Sequence, residues 1–136
     1  MWDFGNGDTS TLNTDTTNYN IEGYYDVTLT STDLNGCVST TTKTSYIRFF
    51  RNIPRFLTTN RTACVGEIVQ FNNISVGDSL TYLWDFGNGQ TSTSFAPSTA
   101  YNSPGKYTVN LKTQNPIGCE EEFELVEYIT VEATPV

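Results

Sequence analysis

Apolar and polar residues alternate in short runs along most of the chain, which is the pattern of strands with one buried face. The clearest run covers residues 107–111, and in residues 80–86 the alternation places Tyr82, Trp84 and Phe86 on one side. Further runs occupy 25–29, 46–49, 68–71, 91–95 and 123–131, and no stretch shows sustained helical periodicity. Turn sequences separate the runs, as in Gly-Asn-Gly and Asn-Pro-Ile-Gly. Short strands at this spacing predict a two-sheet β-sandwich.

One segment occurs twice, because residues 2–7 (WDFGNG) recur unchanged as residues 84–89. The same offset of 82 positions preserves the type of further residues, namely Tyr19, Gly23, Tyr25, Val27, Leu29, Gly36, Cys37, Tyr46 and Ile47. One offset held through these Trp, Tyr, Gly and Cys positions predicts a tandem array of one module. Since the first copy enters at its tryptophan, we expect a partial module with C-terminal strands only over 1–49. A complete module is expected over 50–133.

Composition and charge exclude several functions. The chain is rich in Thr, Asn, Tyr and Phe, which suits strands and polar turns better than helices. Its net charge is −8, with 7 Lys plus Arg and no His, so we expect no nucleic-acid partner. No apolar run approaches about 18 residues, so we expect no membrane insertion. Without His, and with no recognisable set of nucleophile, base and acid, the chain is not expected to be an enzyme.

The repeated segment resembles the PKD domain, the polycystic-kidney-disease repeat of the immunoglobulin-like superfamily. The family hallmark is Trp-Asp-Phe-Gly-Asp-Gly, then a Pro and an aromatic residue, then Gly-x-Tyr-x-Val. The complete copy matches it at 84–89, Pro97, Tyr101 and 105–109, and the first copy matches it at most equivalent positions. This resemblance implies an immunoglobulin-like, seven-stranded β-sandwich that is non-catalytic and extracellular.

Two functions are compatible with the resemblance. The sequence favours a structural or adhesive repeat of a large bacterial cell-surface or filament-forming protein, acting by spacing and by contacts between modules. Its partners would be neighbouring modules or copies of itself, and also other surface proteins or polysaccharide. The alternative is a substrate-binding accessory domain of a secreted protease or glycoside hydrolase. A polysaccharide binder needs a row of exposed aromatic residues, whereas most Tyr and Phe here alternate inward.

The hallmark residues are expected to serve the core and the turns. Alternation places Trp84, and by repetition Trp2, in a core rather than on a sugar-binding surface. Asp85 and Asp3 are expected to accept backbone N–H bonds and so hold their turns. The whole set comprises Trp2, Asp3, Phe4, Gly5, Gly7, Trp84, Asp85, Phe86, Gly87, Gly89 and Tyr107.

Calcium is the one cofactor that the residues suggest. Asp85, Asn88 and Asp78 offer oxygen ligands suited to Ca²⁺, but their spacing matches no dedicated binding loop. Asn6 and Asn88 also replace the second Asp of the family hallmark, which helps to hold a cation in some members. No metal site is therefore predicted, and Asp85, Asn88 and Asp78 stay as weak calcium candidates.

Three cysteines raise the question of a disulfide. Cys64 and Cys119 both fall in the complete copy, and Cys37 is the counterpart of Cys119. The chain looks most like the PKD arrays of large secreted Bacteroidetes-type surface proteins, which often carry a Cys-Val-Gly and a later Gly-Cys, as at 64–66 and 118–119 here. We expect a Cys64–Cys119 disulfide, formed in an oxidising compartment, and a free thiol at Cys37. The alternative is three free thiols.

Exposed positions suggest contacts and modifications. Tyr24 is the best contact candidate, because its counterpart is Lys106 and the side chain is expected to point outward. Thr16 and Ser79 lie in Asp-Thr-Thr and Asp-Ser-Leu, which resemble the short O-glycosylation sequence of Bacteroidetes exports. The acidic run at 120–124 is expected to be a solvated strand end rather than a face that binds a cation or a partner.

The partial module lacks the first strands of a sandwich, which exposes core residues and unpaired edges. Three explanations remain open. Preceding residues of a longer protein complete the module, or strands 53–75 of another chain complete it in trans, or neighbouring contacts alone hold it. The sequence favours a window of a longer repetitive chain.

Overall fold

The computed structural model describes residues 1–134, and every helix or strand assigned within that range is a β-strand. Two compact units make up the chain: unit 1 runs from Met1 to Phe50, and unit 2 begins at Arg51. The prediction of an all-β protein with tandem modules is therefore confirmed. Over the same residues, no helix is long and apolar enough to cross a membrane.

Unit 1 is a single antiparallel sheet with the strand order β2-β1-β3-β4. Its strands are β1 (Trp2–Asp3), β2 (Thr9–Ser10), β3 (Gly23–Thr32) and β4 (Val38–Phe49). The β3–β4 hairpin turns through Asp33, whose Oδ1 accepts the backbone N–H groups of Asn35 and Cys37, each at 2.8 Å. Gly36 supplies the left-handed backbone, at φ +83°, that this turn requires.

Unit 2 is a sandwich of two layers. One layer is a five-stranded sheet in the order β10-β9-β12-β13-β6, in which β13 and β6 are parallel and the other pairs are antiparallel. The other layer consists of the pairs β11–β7 and β5–β8. The strands are β5 (Phe56–Leu57), β6 (Thr62–Cys64), β7 (Ile68–Gln70), β8 (Asn72–Asn73), β9 (Thr81–Asp85), β10 (Thr91–Ser92), β11 (Ser98–Ala100), β12 (Gly105–Gln114) and β13 (Glu120–Glu132).

Large side chains from both layers fill the interior of unit 2. Phe56 of β5 packs edge-on against Phe71 and Trp84, with ring centroids 6.1 and 5.1 Å apart. The fully buried side chains are Val69, Phe71, Trp84, Phe86, Tyr101, Val109, Leu111, Thr113 and Ile129. Because one continuous apolar core holds the two layers together, the predicted immunoglobulin-like sandwich is confirmed.

The observed strands differ from the predicted ones mainly at their ends. Alternation predicts strands over 107–111 and 123–131, whereas β12 reaches Gln114 and β13 begins at Glu120. The outer end of β13 is exposed and polar, and the outer end of β12 is polar although Thr113 is buried, so backbone pairing continues there without an apolar pattern to reveal it. The edge strand predicted over 91–95 is paired only at Thr91–Ser92.

The two tryptophans lie in different surroundings. Trp84 is completely buried, and its indole N–H donates to the carbonyl oxygen of Ser94 at 2.9 Å. Trp2, which was expected in a core, is only half-buried. The physical reason is that the described strands of unit 1 form one layer, so its inner face lacks the second layer that closes over Trp84 in unit 2.

The expected Cys64–Cys119 disulfide is wrong. Cys64 pairs with Glu132 at one end of β13, whereas Cys119 directly precedes Glu120 at the other end. A strand of 13 residues lies between them and spans roughly 40 Å at about 3.3 Å per residue. A disulfide needs Cα atoms within about 7 Å of each other. Cys64 and Cys119 are accordingly free and exposed, as is Cys37.

Candidate functional site

The WDFGNG segments form the same hydrogen-bonded turn in both units. In unit 2, Asp85 Oδ1 accepts the backbone N–H of Gly87 at 2.9 Å. In unit 1, Asp3 Oδ1 accepts the backbone N–H of Gly5, also at 2.9 Å. Both aspartates therefore act as turn residues, because a short carboxylate can bond to the backbone two positions further on.

Gly87 packs this turn tightly against the sheet. Its φ of +77° lies in the left-handed region, and a Cβ at this position would lie 2.5 Å from the carbonyl oxygen of Thr108. Gly89 has a similar φ of +84°, but a Cβ there would meet nothing within 4 Å. The turn therefore needs glycine at Gly87 for both conformation and space, and at Gly89 for conformation alone.

An asparagine ties each turn to the strand or loop beside it. The Asn88 side-chain N–H₂ donates to Thr99 Oγ1 and to the Ala100 carbonyl oxygen, each at 3.1 Å, and its Oδ1 accepts the backbone N–H of Gln90 at 3.0 Å. Asn6 makes the equivalent bonds in unit 1. An amide supplies the two N–H donors that this arrangement needs, and a carboxylate at the same position could not.

The three weak calcium candidates do not form a site together. Asn88 directs its N–H₂ group at protein acceptors, and Asp85 already accepts a turn N–H. Asp78 lies in the turn that precedes β9, whereas Asp85 is the last residue of that strand, so four strand residues at about 3.3 Å each lie between them. Among residues 1–134, no cluster of three or more His, Cys, Asp or Glu side chains could hold a metal ion.

A recess lies beside the turn in both units, at equivalent positions. In unit 1 it has a volume of about 500 Å³ and is lined by Gly5, Asn6, Asp8, Asn18, Asn20, Ile21, Glu22, Gly23, Tyr24 and Tyr25. In unit 2 the corresponding recess is smaller, at about 270 Å³, and is lined by Gly87, Asn88, Gln90, Ala100, Asn102, Ser103 and Tyr107. We refer to the first as the unit 1 recess.

The unit 1 recess differs from its counterpart in chemistry. Asp8 takes the place of Gln90, so a carboxylate replaces an amide. A second carboxylate, that of Glu22, also lines it. Tyr24, the contact residue suggested by the sequence, lies at the same recess with 55% of its surface exposed and packs edge-on against Phe50 at 5.2 Å. Sequence reasoning found Tyr24 but missed the two carboxylates of Asp8 and Glu22. The only signal that could have revealed them is the alignment of the two copies.

The acidic residues near the start of β13 are exposed and partly paired. Lys112 Nζ lies 3.0 Å from a Glu122 carboxylate oxygen and 4.0 Å from Glu120. The hydrogen bond between Lys112 and Glu122 raises the pKa of Lys112 and lowers the pKa of Glu122. Exposed ion pairs of this kind contribute little to stability, and nothing in their arrangement marks a binding site.

The predicted glycosylation positions are accessible. Thr16 and Ser79 are both exposed, and Ser79 has a left-handed φ of +54° in the turn before β9. Glycan attachment at either residue stays a prediction.

Comparison with known proteins identifies relatives of both units. A sequence profile of the PKD domain matches residues 1–49 and 52–131. Over 37 residues the chain is 57% identical to the pre-pro-metalloprotease PrtV of Vibrio cholerae, which covers 27% of this chain and 4% of that protein. Over 66 residues it is 47% identical to a microbial collagenase of Vibrio alginolyticus, which covers 46% of this chain and 8% of that protein. The chain thus spans less than a tenth of the length of either relative.

A solved structure gives the same assignment. The PKD1 domain of the V. cholerae metalloprotease PrtV matches with a TM-score of 0.50 and 33% identity, covering 60% of this chain and 96% of that chain. PKD domains are non-catalytic, immunoglobulin-like modules, so the prediction that this module is not an enzyme is confirmed. Because the family profile covers nearly all of both units, the chain belongs to the PKD domain family.

Proposed function

We propose that this chain is a non-catalytic accessory part of a larger extracellular bacterial protease, in which it contacts a collagen-like protein substrate. The observation that carries the proposal is its similarity to segments of a metalloprotease and of a collagenase. The sequence by itself favours a structural or adhesive surface repeat and offers this accessory function as the alternative. The proposal includes the division into a partial module at 1–49 and a complete module at 50–133.

The contact surface in this proposal is the unit 1 recess with Tyr24 at its edge. Collagen chains are extended, proline-rich and of the polyproline II type. Protein grooves that bind such chains are lined by exposed aromatic rings. Since the ligand is already extended, it loses little conformational entropy on binding. Tyr24 offers such a ring at the edge of a recess of about 500 Å³.

Charge supports a protein ligand with basic side chains. The chain carries a net charge of −8, and the unit 1 recess is lined by the carboxylates of Asp8 and Glu22. A recess lined by carboxylates attracts Lys and Arg side chains, and this attraction weakens as salt is added. Binding is therefore expected to decrease between low and physiological ionic strength.

Co-sedimentation with insoluble collagen fibrils tests the proposal, with chitin and cellulose as parallel arms. Wild-type protein should sediment with collagen, and Tyr24→Ala should weaken binding by about 1–2 kcal/mol, or roughly five- to thirtyfold. Tyr46→Ala is the matched control, because Tyr46 is exposed to a similar degree (57%) in the same unit but lies outside the recess. No collagen binding, or equal losses in both variants, would contradict the proposed contact surface.

A second function, spacing within a surface or filament protein, is favoured by one observation. The two units repeat the same turn bonds and the same hairpin register, as expected of an array built from copies of one module. Neighbouring modules or copies of the chain would then be the partners. Failure to bind collagen, chitin and cellulose would favour this reading over the accessory one.

A further inference from the structure

Three Asn-Gly sequences occur in the chain, and they differ in how the asparagine side chain is held. In an Asn-Gly pair the glycine nitrogen can attack the side-chain amide of the asparagine, because glycine has no side chain to hinder the approach. Residues 6–7 and 88–89 are the pairs of the two WDFGNG turns. The third pair, residues 35–36, lies in the β3–β4 turn of unit 1, and its counterpart in unit 2 is the Ile-Gly of residues 117–118.

The amide groups in the two WDFGNG turns are held by hydrogen bonds. The Asn88 N–H₂ group donates to Thr99 Oγ1 and to the Ala100 carbonyl oxygen, each at 3.1 Å. Its Oδ1 accepts the backbone N–H of Gln90 at 3.0 Å. Asn6 makes the equivalent bonds in unit 1. Because attack by the next backbone nitrogen requires the side chain to rotate and to lose its N–H₂ group, these bonds must break before either amide can react.

The side chain of Asn35 is free of such bonds. It is exposed, and none of residues 1–134 forms a hydrogen bond with its amide group. Gly36 is exposed as well, has a φ of +83°, and would place a Cβ within 4 Å of nothing. The Gly36 N–H donates to the Asp33 carbonyl oxygen at 3.1 Å, and within the described part of the chain this is the one bond that restrains the reacting groups.

Unit 2, in which both layers are described, shows that this turn stays accessible in a two-layer sandwich. Asn52 bonds to the equivalent hairpin there, but at the carbonyl oxygens of Thr113 and Cys119. Ile117, which stands at the position of Asn35, is only half-buried. Residues that pack against unit 1 as Asn52 packs in unit 2 would therefore leave Asn35 accessible to water.

We propose that Asn35 is a site of spontaneous deamidation, with water as the only co-reactant. The backbone nitrogen of Gly36 loses its proton to hydroxide and attacks the side-chain carbonyl carbon of Asn35. The new C–N bond closes a succinimide ring, and the side-chain nitrogen leaves as ammonia after taking a proton from water. A second water adds to either ring carbonyl and reopens the ring, which gives aspartate or isoaspartate at position 35. Each product adds one negative charge to a chain whose net charge is −8.

The isoaspartate product changes the turn itself. Its backbone contains one additional carbon between the nitrogen of residue 35 and that of Gly36. Asp33 Oδ1 accepts the backbone N–H groups of Asn35 and Cys37, each at 2.8 Å, so the added carbon lies between the two donors. The longer backbone displaces the Cys37 N–H from this carboxylate, and that N–H should exchange faster with solvent. The aspartate product keeps the ordinary backbone and both bonds.

The test is ageing of the whole chain at mildly alkaline pH in water enriched in heavy oxygen, which labels each product. Fragmentation mass spectrometry then locates the label and separates aspartate from isoaspartate. In the folded chain, Asn35 should react about tenfold or more faster than Asn6 or Asn88, because those amides must first lose at least two side-chain hydrogen bonds. In urea all three should react at similar rates, since each is followed by glycine.

Asn35→Gln is the matched variant, because a longer side chain closes the corresponding larger ring far more slowly. It should stay unmodified at position 35 and react at Asn6 and Asn88 as the wild type does. Ageing continues until the urea-unfolded chain has reacted at all three sites. Equal rates in the folded chain, or an intact Asn35 in the folded chain at that time, would overturn the proposal. Hydrogen exchange at Cys37 should increase in the isoaspartate fraction alone and stay unchanged in Asn35→Asp.

Discussion

The hydroxyl of Tyr101 donates a hydrogen bond to the backbone carbonyl oxygen of Phe86 at 3.1 Å, inside the core of unit 2. Tyr101 is completely buried. Burial, followed by smaller contributions from Tyr107 and Asp85, raises the pKa of Tyr101 well above the ordinary value of 10.0. The unfolded chain ionises near pH 10 while the folded chain holds the neutral phenol. The stability that this burial provides is therefore complete below pH 10 and is lost as pH rises further.

Replacing the buried phenol should flatten this alkaline dependence. Tyr101→Phe loses one hydrogen bond and leaves the Phe86 carbonyl oxygen without this donor, so it should cost about 1–2 kcal/mol at pH 8. Between pH 8 and pH 11, however, the variant should lose less stability than the wild type. Urea unfolding followed by circular dichroism at both pH values measures the difference. Tyr24→Phe removes the hydroxyl of a tyrosine with 55% of its surface exposed and should change stability at pH 8 by less than about 0.5 kcal/mol.

Two glycines of the same turn should respond differently to alanine. Gly89→Ala should cost about 1–2 kcal/mol, because it introduces only left-handed backbone strain. Gly87→Ala adds a clash with the Thr108 carbonyl oxygen, which belongs to rigid backbone, and should cost about 3 kcal/mol or more. Chemical denaturation of the two variants compares them directly. Equal destabilisation would show that the turn can move away from the sheet.

The strand pattern and the tandem repeat could be predicted from the sequence, because alternation and a fixed offset directly reflect burial. The alternation around Tyr82, Trp84 and Phe86 corresponds to β9 and its buried face. The polar ends of β12 and β13 could not be predicted in this way. Residues 120–122 of β13 are exposed, and the buried residue at the end of β12 is the polar Thr113, so neither end carries an apolar pattern.

Features that depend on the pairing register of the strands could not be predicted from the sequence. The spacing of Cys64 and Cys119 says nothing about which end of β13 each approaches, and the parallel pairing of β6 with β13 places them far apart. The unit 1 recess is likewise formed by loops around Asp8 and Glu22, whose proximity has no periodic signature. Tyr24 alone could be anticipated, because the repeat aligns it with a lysine.

Equivalent leucines should differ in their contribution to stability. Leu111→Ala removes a fully buried side chain and should cost about 2–5 kcal/mol in unit 2. Leu29→Ala removes the same atoms from a partly exposed position and should cost about 1.5 kcal/mol in unit 1. Hydrogen exchange measured by mass spectrometry reads each unit separately through its own peptides. A cost at Leu29 as large as at Leu111 would mean that this side of the unit 1 sheet is covered in solution.

The cysteines provide a test of the strand register itself. Cys64 and Cys119 lie near opposite ends of β13, too far apart for a disulfide. All three thiols should therefore react with iodoacetamide in the folded, non-reduced protein. Tryptic mapping should find no pair of peptides joined through Cys64 and Cys119. Cys64→Ser and Cys119→Ser should each change unfolding stability by less than about 0.5 kcal/mol, as expected for exposed positions without a bridge. A loss of about 4 kcal/mol, the value for closing a loop of this length, would instead require the bridge. That bridge could form only if β6 left the edge of β13, so its detection would contradict the parallel pairing of these strands as well as the free thiols.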